Sequence, residues 1–358
     1  MKVLKSKLAS WLALSSLVVF TPFANAGEFS PYLVKDLRSG SSGSAPIELI
    51  ALGNKVLFGS NVEGLWQSDG SEAGTSLVKE LGIFSGTQIN NMTVLGNKVI
   101  FSTTSELWAT DGTEMGTIQL TDSLGGPVSG IFSVNNKALV LVFNSTANEF
   151  NIWESDGTVS GTQIIKTISN VSHPNTDGDR TPKQALGAVF FVVNEATYGQ
   201  ELWVTDGTEL GTQIVADIRT GSTGAEPRDL TAGDGVMYFT ANDGIHDRRV
   251  WKTDGTEFGT EIVYDGSAPG GDDPEELFFH NGILYFSADE GGFDREPWVS
   301  DGSAMGTQML KNIAVSPDPI LSSFPSNFRV FGNVVYFSSS EGIHKTDGTE
   351  SGTLPVSL

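Results

Sequence analysis

The sequence of 358 residues contains no cysteine. Disulfide bonds, thiolate nucleophiles, cysteine-ligated zinc and a lipoprotein anchor are therefore excluded. Basic residues are also scarce, since 21 Lys and Arg stand against 43 Asp and Glu, for a formal net charge of -22. A chain so acidic lacks the basic surface that nucleic acid requires, and it disfavours docking to an anionic membrane.

Long apolar runs are equally rare. The longest, Leu8–Phe20, follows three lysines and precedes the small-x-small tripeptide Ala24-Asn25-Ala26, which is the pattern of a secretory signal peptide over residues 1–26. A transmembrane anchor is the weaker interpretation, because spanning a bilayer takes ~20 apolar residues. We expect cleavage and export to the bacterial periplasm or exterior without membrane insertion. Residues 27–358 then form one domain.

One motif recurs along this domain, in forms such as Glu106–Thr117 (ELWATDGTEMGT) and Glu201–Thr212 (ELWVTDGTELGT). Its spacing of 42 to 50 residues accounts for nearly the whole chain. The aspartates of the seven copies are Asp69, Asp111, Asp156, Asp206, Asp254, Asp301 and Asp347. The tryptophans of the first six copies are Trp66, Trp108, Trp153, Trp203, Trp251 and Trp298, and His344 takes this position in the seventh.

Each period contains about four short runs rich in Val, Ile, Phe, Tyr and Thr, bounded by Gly, Asp and Asn, as in Val236–Asn242 and Arg249–Thr253. That composition is typical of strands, and no segment keeps a helical apolar period over three turns. Four strands per period of about 45 residues, repeated seven times, predict an all-β, seven-bladed β-propeller of four-stranded antiparallel blades. Two-helix solenoids and a parallel β-helix fit the pattern less well.

The motif itself has a structural interpretation. Leu107 and Trp108 point to opposite faces of one strand, so both faces must be covered, as they are between neighbouring blades. Packing between blades is therefore the leading role of the tryptophans, with stacking on a ligand as the alternative. The Asp-Gly-Thr segment predicts the hairpin between the third and fourth strands, with the second glycine as another left-handed residue.

These repeats resemble the ELWxxDGT-repeat family of exported bacterial proteins, over residues 65–353. The resemblance implies a propeller and brings no established activity. The Asp-Gly-Thr turn is also loosely similar to the Asp-box of sialidases, but none of the arginines here matches the sialidase catalytic pattern.

Closure of the ring is predicted from the N-terminus. Tyr32–Leu37 resembles Ser76–Leu81, the fourth strand of the first repeat. We expect Tyr32–Leu37 to pair with the last blade and to close the ring. The C-terminal Leu354–Leu358 is the weaker candidate, because Pro355 lacks a hydrogen-bond donor.

Candidate ligand residues lie in the loops that join blades or that join second to third strands. These loops share one face, and variable loops on a rigid scaffold commonly carry function. Their acidic, glycine-containing turns offer the oxygen ligands that Ca²⁺ prefers, although none matches an EF-hand. The candidate calcium ligands are Asp177, Asp179, Asp272, Asp273, Asp289 and Asp294.

The sequence favours a non-catalytic binding scaffold for a protein or glycan partner, with calcium as a possible ion. No catalytic motif such as HExxH or GxSxG is present. The alternative is a carbohydrate-active enzyme with carboxylates at the mouth of the central channel. In that case Asp289 or Asp294 would pair with Asp272 or Glu275 as acid and base. A third interpretation is a self-associating surface or matrix component. Ligand identity and oligomeric state stay open.

Overall fold

The computed structural model describes residues 32–37, 43–60, 64–82, 88–172, 179–264, 272–289, 295–314 and 322–357. Residues 1–26, the predicted signal peptide, lie outside this set. The described chain is all-β, and its strands form seven antiparallel sheets. In the four-stranded sheets each strand pairs with its neighbour in sequence. Six sheets have four strands, and the fourth sheet has five because two short segments share its inner edge. The prediction of seven antiparallel, essentially four-stranded sheets is confirmed.

We number the sheets as blades 1 to 7 in chain order. Blade 1 contains β1 (Ile47–Leu52), β2 (Lys55–Ser60), β3 (Gly64–Ser68) and β4 (Ser76–Glu80). Blade 2 contains β5 (Asn90–Leu95), β6 (Lys98–Ser102), β7 (Leu107–Thr110) and β8 (Ile118–Thr121). Blade 3 contains β9 (Val128–Val134), β10 (Lys137–Asn144), β11 (Glu149–Ser155) and β12 (Gln163–Ser169). Blade 4 contains β13 (Val171–Ser172), β14 (Lys183–Ala185), β15 (Ala188–Glu195), β16 (Gly199–Thr205) and β17 (Gln213–Ile214).

The last three blades follow the same order. Blade 5 contains β18 (Arg228–Ala232), β19 (Met237–Ala241), β20 (Arg249–Thr253) and β21 (Glu261–Ile262). Blade 6 contains β22 (Asp272–His280), β23 (Ile283–Asp289), β24 (Arg295–Ser300) and β25 (Gln308–Met309). Blade 7 contains β26 (Ser326–Phe331), β27 (Val334–Ser339), β28 (Gly342–Thr346) and β29 (Leu354–Pro355). No helix in the described chain is long and apolar enough to cross a membrane.

Successive blades pack face to face through apolar clusters. Second strands such as β10 and β15 are apolar on both faces, so each contributes to the cluster on either side. Six such clusters join blade 1 to 2, 2 to 3, and onward to 7. The motif tryptophan packs backward, as Trp203 does against the core of blade 3. In blade 7, His344 takes this place and stacks on Phe337 with 5.5 Å between ring centroids.

The Asp-Gly-Thr hairpins are built alike in all seven blades. In blade 2, Asp111 Oδ1 accepts hydrogen bonds from Thr113 N at 2.9 Å and Thr113 Oγ1 at 2.7 Å. The hydroxyls of Thr110 and Thr117 meet at 2.7 Å across the base of the hairpin. The first glycine, Gly112, has the positive φ of 86° that the turn requires.

The expectation for the second motif glycine is wrong. Gly116 does not have a positive φ, and neither do its equivalents in the other six hairpins. A Cβ at Gly116 would instead overlap the carboxylate of Asp111, and the same overlap recurs in every hairpin. The second glycine is therefore required because the turn carboxylate lies against its backbone.

The predicted closure by the N-terminal segment is not confirmed. Residues 32–37 form no strand, and the outer strand of blade 7 is the C-terminal β29. A short hairpin brings β29 beside β28 with little loss of chain entropy, and Val356 N supplies a bond to Ile343 O that Pro355 cannot donate. Tyr32 and Lys35 instead contact the hairpin of blade 1, where Lys35 Nζ donates to Thr75 O at 2.7 Å.

Candidate functional site

The blades have two distinct ends. In an antiparallel meander, the start of strand one, the loop between strands two and three, and the end of strand four lie together. We call this the loop end, and the opposite side, with the Asp-Gly-Thr hairpins, the hairpin end. The described candidate ligands Asp179, Asp273 and Asp289 all belong to the loop end, as the sequence predicts from strand order.

In five blades, the first strand carries near the loop end a β-bulge that contains a residue in the left-handed conformation. A non-glycine residue with positive φ occupies each bulge, namely Glu48, Asn91, Asp229, Glu276 and Asn327. A bulge re-aims its side chain, and here some of these side chains reach the next blade. Glu48 Oε2 accepts from Met92 N at 3.3 Å, and Glu276 Oε2 accepts from Asn327 N at 3.1 Å.

Sequence reasoning missed these bulges, although a signal exists. In four of the five, a proline stands two positions before the bulge residue, as Pro227 does before Asp229 and Pro274 before Glu276. The recurring pattern Pro-x-(Asp/Asn/Glu)-apolar therefore marks the start of a first strand.

A cavity of ≈ 310 Å³ lies along the first strands of blades 4 to 7. Its lining includes carboxylates, two cationic side chains and aromatic rings. The residues that bear these groups are Asp179, Lys183, Asp229, Glu276, Phe278, Phe328 and Arg329. The cavity volume is at the lower end of the range for small-molecule sites.

Asp229 is the most perturbed acid of this cavity. Its pKa is raised to about 6, chiefly by burial and also by the nearby carboxylates of Asp179 and Glu275, against the lowering effect of the hydrogen bond from Thr240. Thr240 Oγ1 lies 3.3 Å from Asp229 Oδ2. Asp229 N also donates to Asp179 O at 2.7 Å, which ties the approach to blade 4 to the first strand of blade 5.

Arginine side chains adjoin this cavity. Arg248 is buried and donates to Glu226 O at 2.9 Å and to Thr240 Oγ1 at 3.2 Å. The pKa of Arg248 is lowered to about 10, chiefly by burial and also by the neighbouring Arg228 guanidinium. Glu226 Oε2 lies 3.4 Å from Arg228 and 3.7 Å from Arg248, so one carboxylate is shared by two guanidinium groups.

In blade 6, Arg295 gathers three carboxylates. Its nitrogens lie 3.1 Å from Asp289 Oδ1, 3.3 Å from Asp273 Oδ2 and 3.5 Å from Glu275 Oε2. The structure thus brings together two predicted calcium ligands, Asp273 and Asp289, around a guanidinium. Asp289 and Glu275, which were candidates for an acid and base pair, share the same partner.

The other candidate ligands are placed differently. Asp179 accepts from Thr181 N at 2.9 Å and lies 3.7 Å from Lys183 Nζ. The backbone of Asp272 pairs with Asp289 across β22 and β23. Asp177 and Asp294 lie outside the described residues. In the part of the chain that is described, no three His, Asp or Glu side chains converge as a metal site.

The glutamate of the repeat motif has a role that sequence reasoning missed. Glu201 is fully buried, and its Oε1 accepts from Arg219 N at 3.0 Å and Ala225 N at 2.9 Å in the loop before blade 5. Burial raises the pKa of Glu201 to about 8. Glu296 likewise accepts from Ile313 N at 3.0 Å, Ala314 N at 3.1 Å and Ser323 Oγ at 2.6 Å. These glutamates position the loops that form the loop end.

Comparison with known proteins gives a likeness of fold only. No family model matches the chain, and no curated protein matches it. Among solved structures, the computationally designed Ika8 protein is 14% identical with a TM-score of 0.46, covering 90% of this chain and 89% of that chain. BamB from Moraxella catarrhalis is 14% identical with a TM-score of 0.41, covering 82% and 81%. The Pan2 WD40 domain from Neurospora crassa is 11% identical with a TM-score of 0.39, covering 84% and 88%.

Proposed function

We propose that this protein is an exported seven-bladed propeller that acts as a non-catalytic binding scaffold and holds a glycan or protein partner at its loop end. The observation that carries the proposal is the cavity of ≈ 310 Å³ on the first strands of blades 4 to 7. It offers carboxylates for hydroxyl or ammonium groups, cations for acidic groups, and phenyl rings for an apolar face. This mixture of groups suits a polar ligand such as a sugar or a charged peptide side chain.

The pairing of loop-end acids with arginines supports binding over catalysis. Asp289, Asp273 and Glu275 surround Arg295, and Glu226 bridges two arginines. Carboxylates that face a guanidinium of the same chain are arranged as structural ion pairs rather than as an acid and a base on either side of a substrate. The calcium proposal is kept for the loops that contain Asp177 and Asp294.

Closure of the ring is part of the proposal. In blades 3 to 6, the first hairpin glycine faces the preceding blade, so that a Cβ at Gly207 would meet Leu139 at 3.2 Å and one at Gly255 would meet Phe190 at 3.5 Å. A Cβ at Gly70 of blade 1 would meet nothing within 4 Å. Tyr336 occupies in β27 of blade 7 the position that Leu139 and Phe190 occupy in the second strands of their own blades. In a closed ring, the face of blade 7 that bears Tyr336 would pack against Gly70 of blade 1.

The test uses a glycan array and a peptide array with the mature protein, followed by titration of the best-bound ligand. We expect the Glu276→Gln, Arg329→Gln double variant to bind that ligand at least tenfold more weakly. Asp234→Asn, an exposed acid at the hairpin end, serves as the matched control and should bind like the wild type. Absence of any ligand on both arrays, or equal binding by the cavity variant, would contradict the proposal.

A carbohydrate-active enzyme is the second candidate, and Asp229 is the observation that favours it. A carboxyl group with a pKa of about 6 in a cavity, beside Asp179, has the property of a general acid. Hydrolysis of an aryl glycoside panel that Asp229→Asn abolishes, with the melting temperature unchanged, would favour the enzyme. Hydrolysis that survives this substitution would rule out Asp229 as the acid.

A further inference from the structure

The hairpin end carries exposed apolar side chains at one repeated position. The residue just before the second motif glycine is Met115 in blade 2, Leu210 in blade 4, Phe258 in blade 5 and Met305 in blade 6. Each of these four side chains is at least 92% exposed. In blade 3, the neighbouring Val159 is 60% exposed. Large apolar side chains thus stand at the hairpin tips from blade 2 to blade 6.

The hairpin does not need these side chains. The same position holds Ala73 in blade 1, Ser160 in blade 3 and Ser351 in blade 7. The turn is nevertheless identical there, since the motif aspartate accepts from the backbone N–H two residues on at 2.9 Å in blade 1, 2.8 Å in blade 3 and 3.0 Å in blade 7. A serine therefore satisfies the fold as well as a phenylalanine does.

Exposure at this level also means that the side chains gain nothing from packing. An exposed apolar residue on its own is ordinary, but a set at equivalent positions on one end of a molecule indicates an interaction surface. We call Met115, Leu210, Phe258 and Met305 the apolar tips.

The surroundings of the apolar tips are acidic. Glu114, Glu209 and Glu257 each directly precede a tip, and every hairpin contains its motif aspartate. Hydrogen bonds from Thr113, Thr256 and Ser303 lower the pKa of Asp111, Asp254 and Asp301, respectively, so these groups are ionised at neutral pH. Lys98 and Lys252 each donate to a hairpin carbonyl of the next blade, but the motif aspartates and these glutamates outnumber them, so the apolar tips stand on an acidic surface.

We propose that the hairpin end is a second interaction surface, and that it binds a protein segment in which basic side chains alternate with apolar ones. Charge complementarity selects this occupant, because lysines or arginines would meet the motif aspartates and glutamates while apolar residues cover the tips. An anionic membrane would be repelled by the same acids. A second copy would bring an equally negative hairpin end against this one. This surface is independent of the loop-end cavity.

The probe is a phage-displayed library of random 15-residue peptides, selected on the mature protein in its full length. We expect enrichment of sequences that mix Lys or Arg with Leu, Phe or Trp. Calorimetry of the best peptide should show at least tenfold weaker binding to the variant Met115→Ser, Leu210→Ser, Phe258→Ser, Met305→Ser. Serine is the chain's own residue at this position in blades 3 and 7, so the variant should keep its melting temperature.

The control variant removes exposed apolar side chains from the loop end instead, as Tyr198→Ser, Ile245→Ser, Phe324→Ser. It should bind the peptide like the wild type. Enriched peptides without basic residues, or equal binding by the tip variant, would overturn the proposal. Binding to phosphatidylcholine vesicles that the tip variant loses, without any selected peptide, would assign the surface to lipid and overturn it too. A failure to bind any ligand at the loop-end cavity would count against the proposed function, but it would not change the outcome of the peptide experiment on the apolar tips.

Discussion

Arg295 Nε lies 3.1 Å from Asp289 Oδ1, and the same guanidinium reaches Asp273 and Glu275. A cation supplied by the chain thus occupies the place between carboxylates that could otherwise attract a metal ion. We therefore expect Arg295 to affect both the stability of blade 6 and its response to added calcium.

Replacement of Arg295 by methionine should destabilise blade 6. Three carboxylates would lose their partner, and we expect a loss of about 1–3 kcal/mol, less than for a fully buried pair because the acids are partly exposed. Urea unfolding measures the change. Arg295→Lys, which keeps the charge but has one nitrogen to share, should fall between the wild type and Arg295→Met. Equal stability of all three proteins would show that the cluster contributes nothing.

The response to calcium should distinguish the wild-type protein from Arg295→Met. With Arg295 present and Asp177 and Asp294 both replaced by asparagine, we expect millimolar calcium to move the melting temperature by less than about 1 °C relative to EDTA, because a ligand stabilises only where it binds the folded state. In Arg295→Met the freed carboxylates should give a rise of several degrees. A large rise in the wild type that Asp177→Asn and Asp294→Asn remove would instead establish a calcium site in those loops.

Glu201 predicts a pH dependence of stability. Its folded pKa of about 8 is above the ordinary 4.5, so the folded state holds a proton that the unfolded state releases. Stability from this group is complete below about pH 4.5 and is lost as the pH rises to 8, by on the order of 3–5 kcal/mol. Glu201→Gln should flatten the melting temperature between pH 5 and pH 8.5. Glu257→Gln, at an exposed hairpin tip, should keep the wild-type profile, and an unchanged profile in Glu201→Gln would contradict the assignment.

Gly116 and Asp111 should be energetically coupled. Gly116→Ala places a Cβ on the carboxylate of Asp111, so we expect a loss of about 1–3 kcal/mol. In an Asp111→Ala background the same substitution should cost much less, and a double-mutant cycle by thermal unfolding measures the difference. Gly43, around which an added Cβ meets nothing within 4 Å, gives the control position. Additive effects would argue against the contact.

Much of this fold follows from the sequence repeat, and the features that the repeat did not predict have physical reasons. Seven copies of one strand-turn-strand motif determine the number of sheets and the place of the hairpins, because these are local properties. The partners of Asp289 and Glu275 were not predictable, since they depend on how β22, β23 and β24 meet. Glu201 was overlooked because a charged residue in a repeat is expected to be exposed, whereas two backbone N–H groups hold it inside.

The proposed ring is tested most directly by one distance across the junction of blades 7 and 1. The chain has no cysteine, so Ser71→Cys with Val334→Cys provides two unique sites for spin labels. The matched pair Ser303→Cys with Val236→Cys reports a junction between blades 5 and 6 that packs directly. If blade 7 closes on blade 1, both pairs should give similar short distances within one molecule. A clearly longer or broad distance for the first pair, with a short one for the second, would contradict closure.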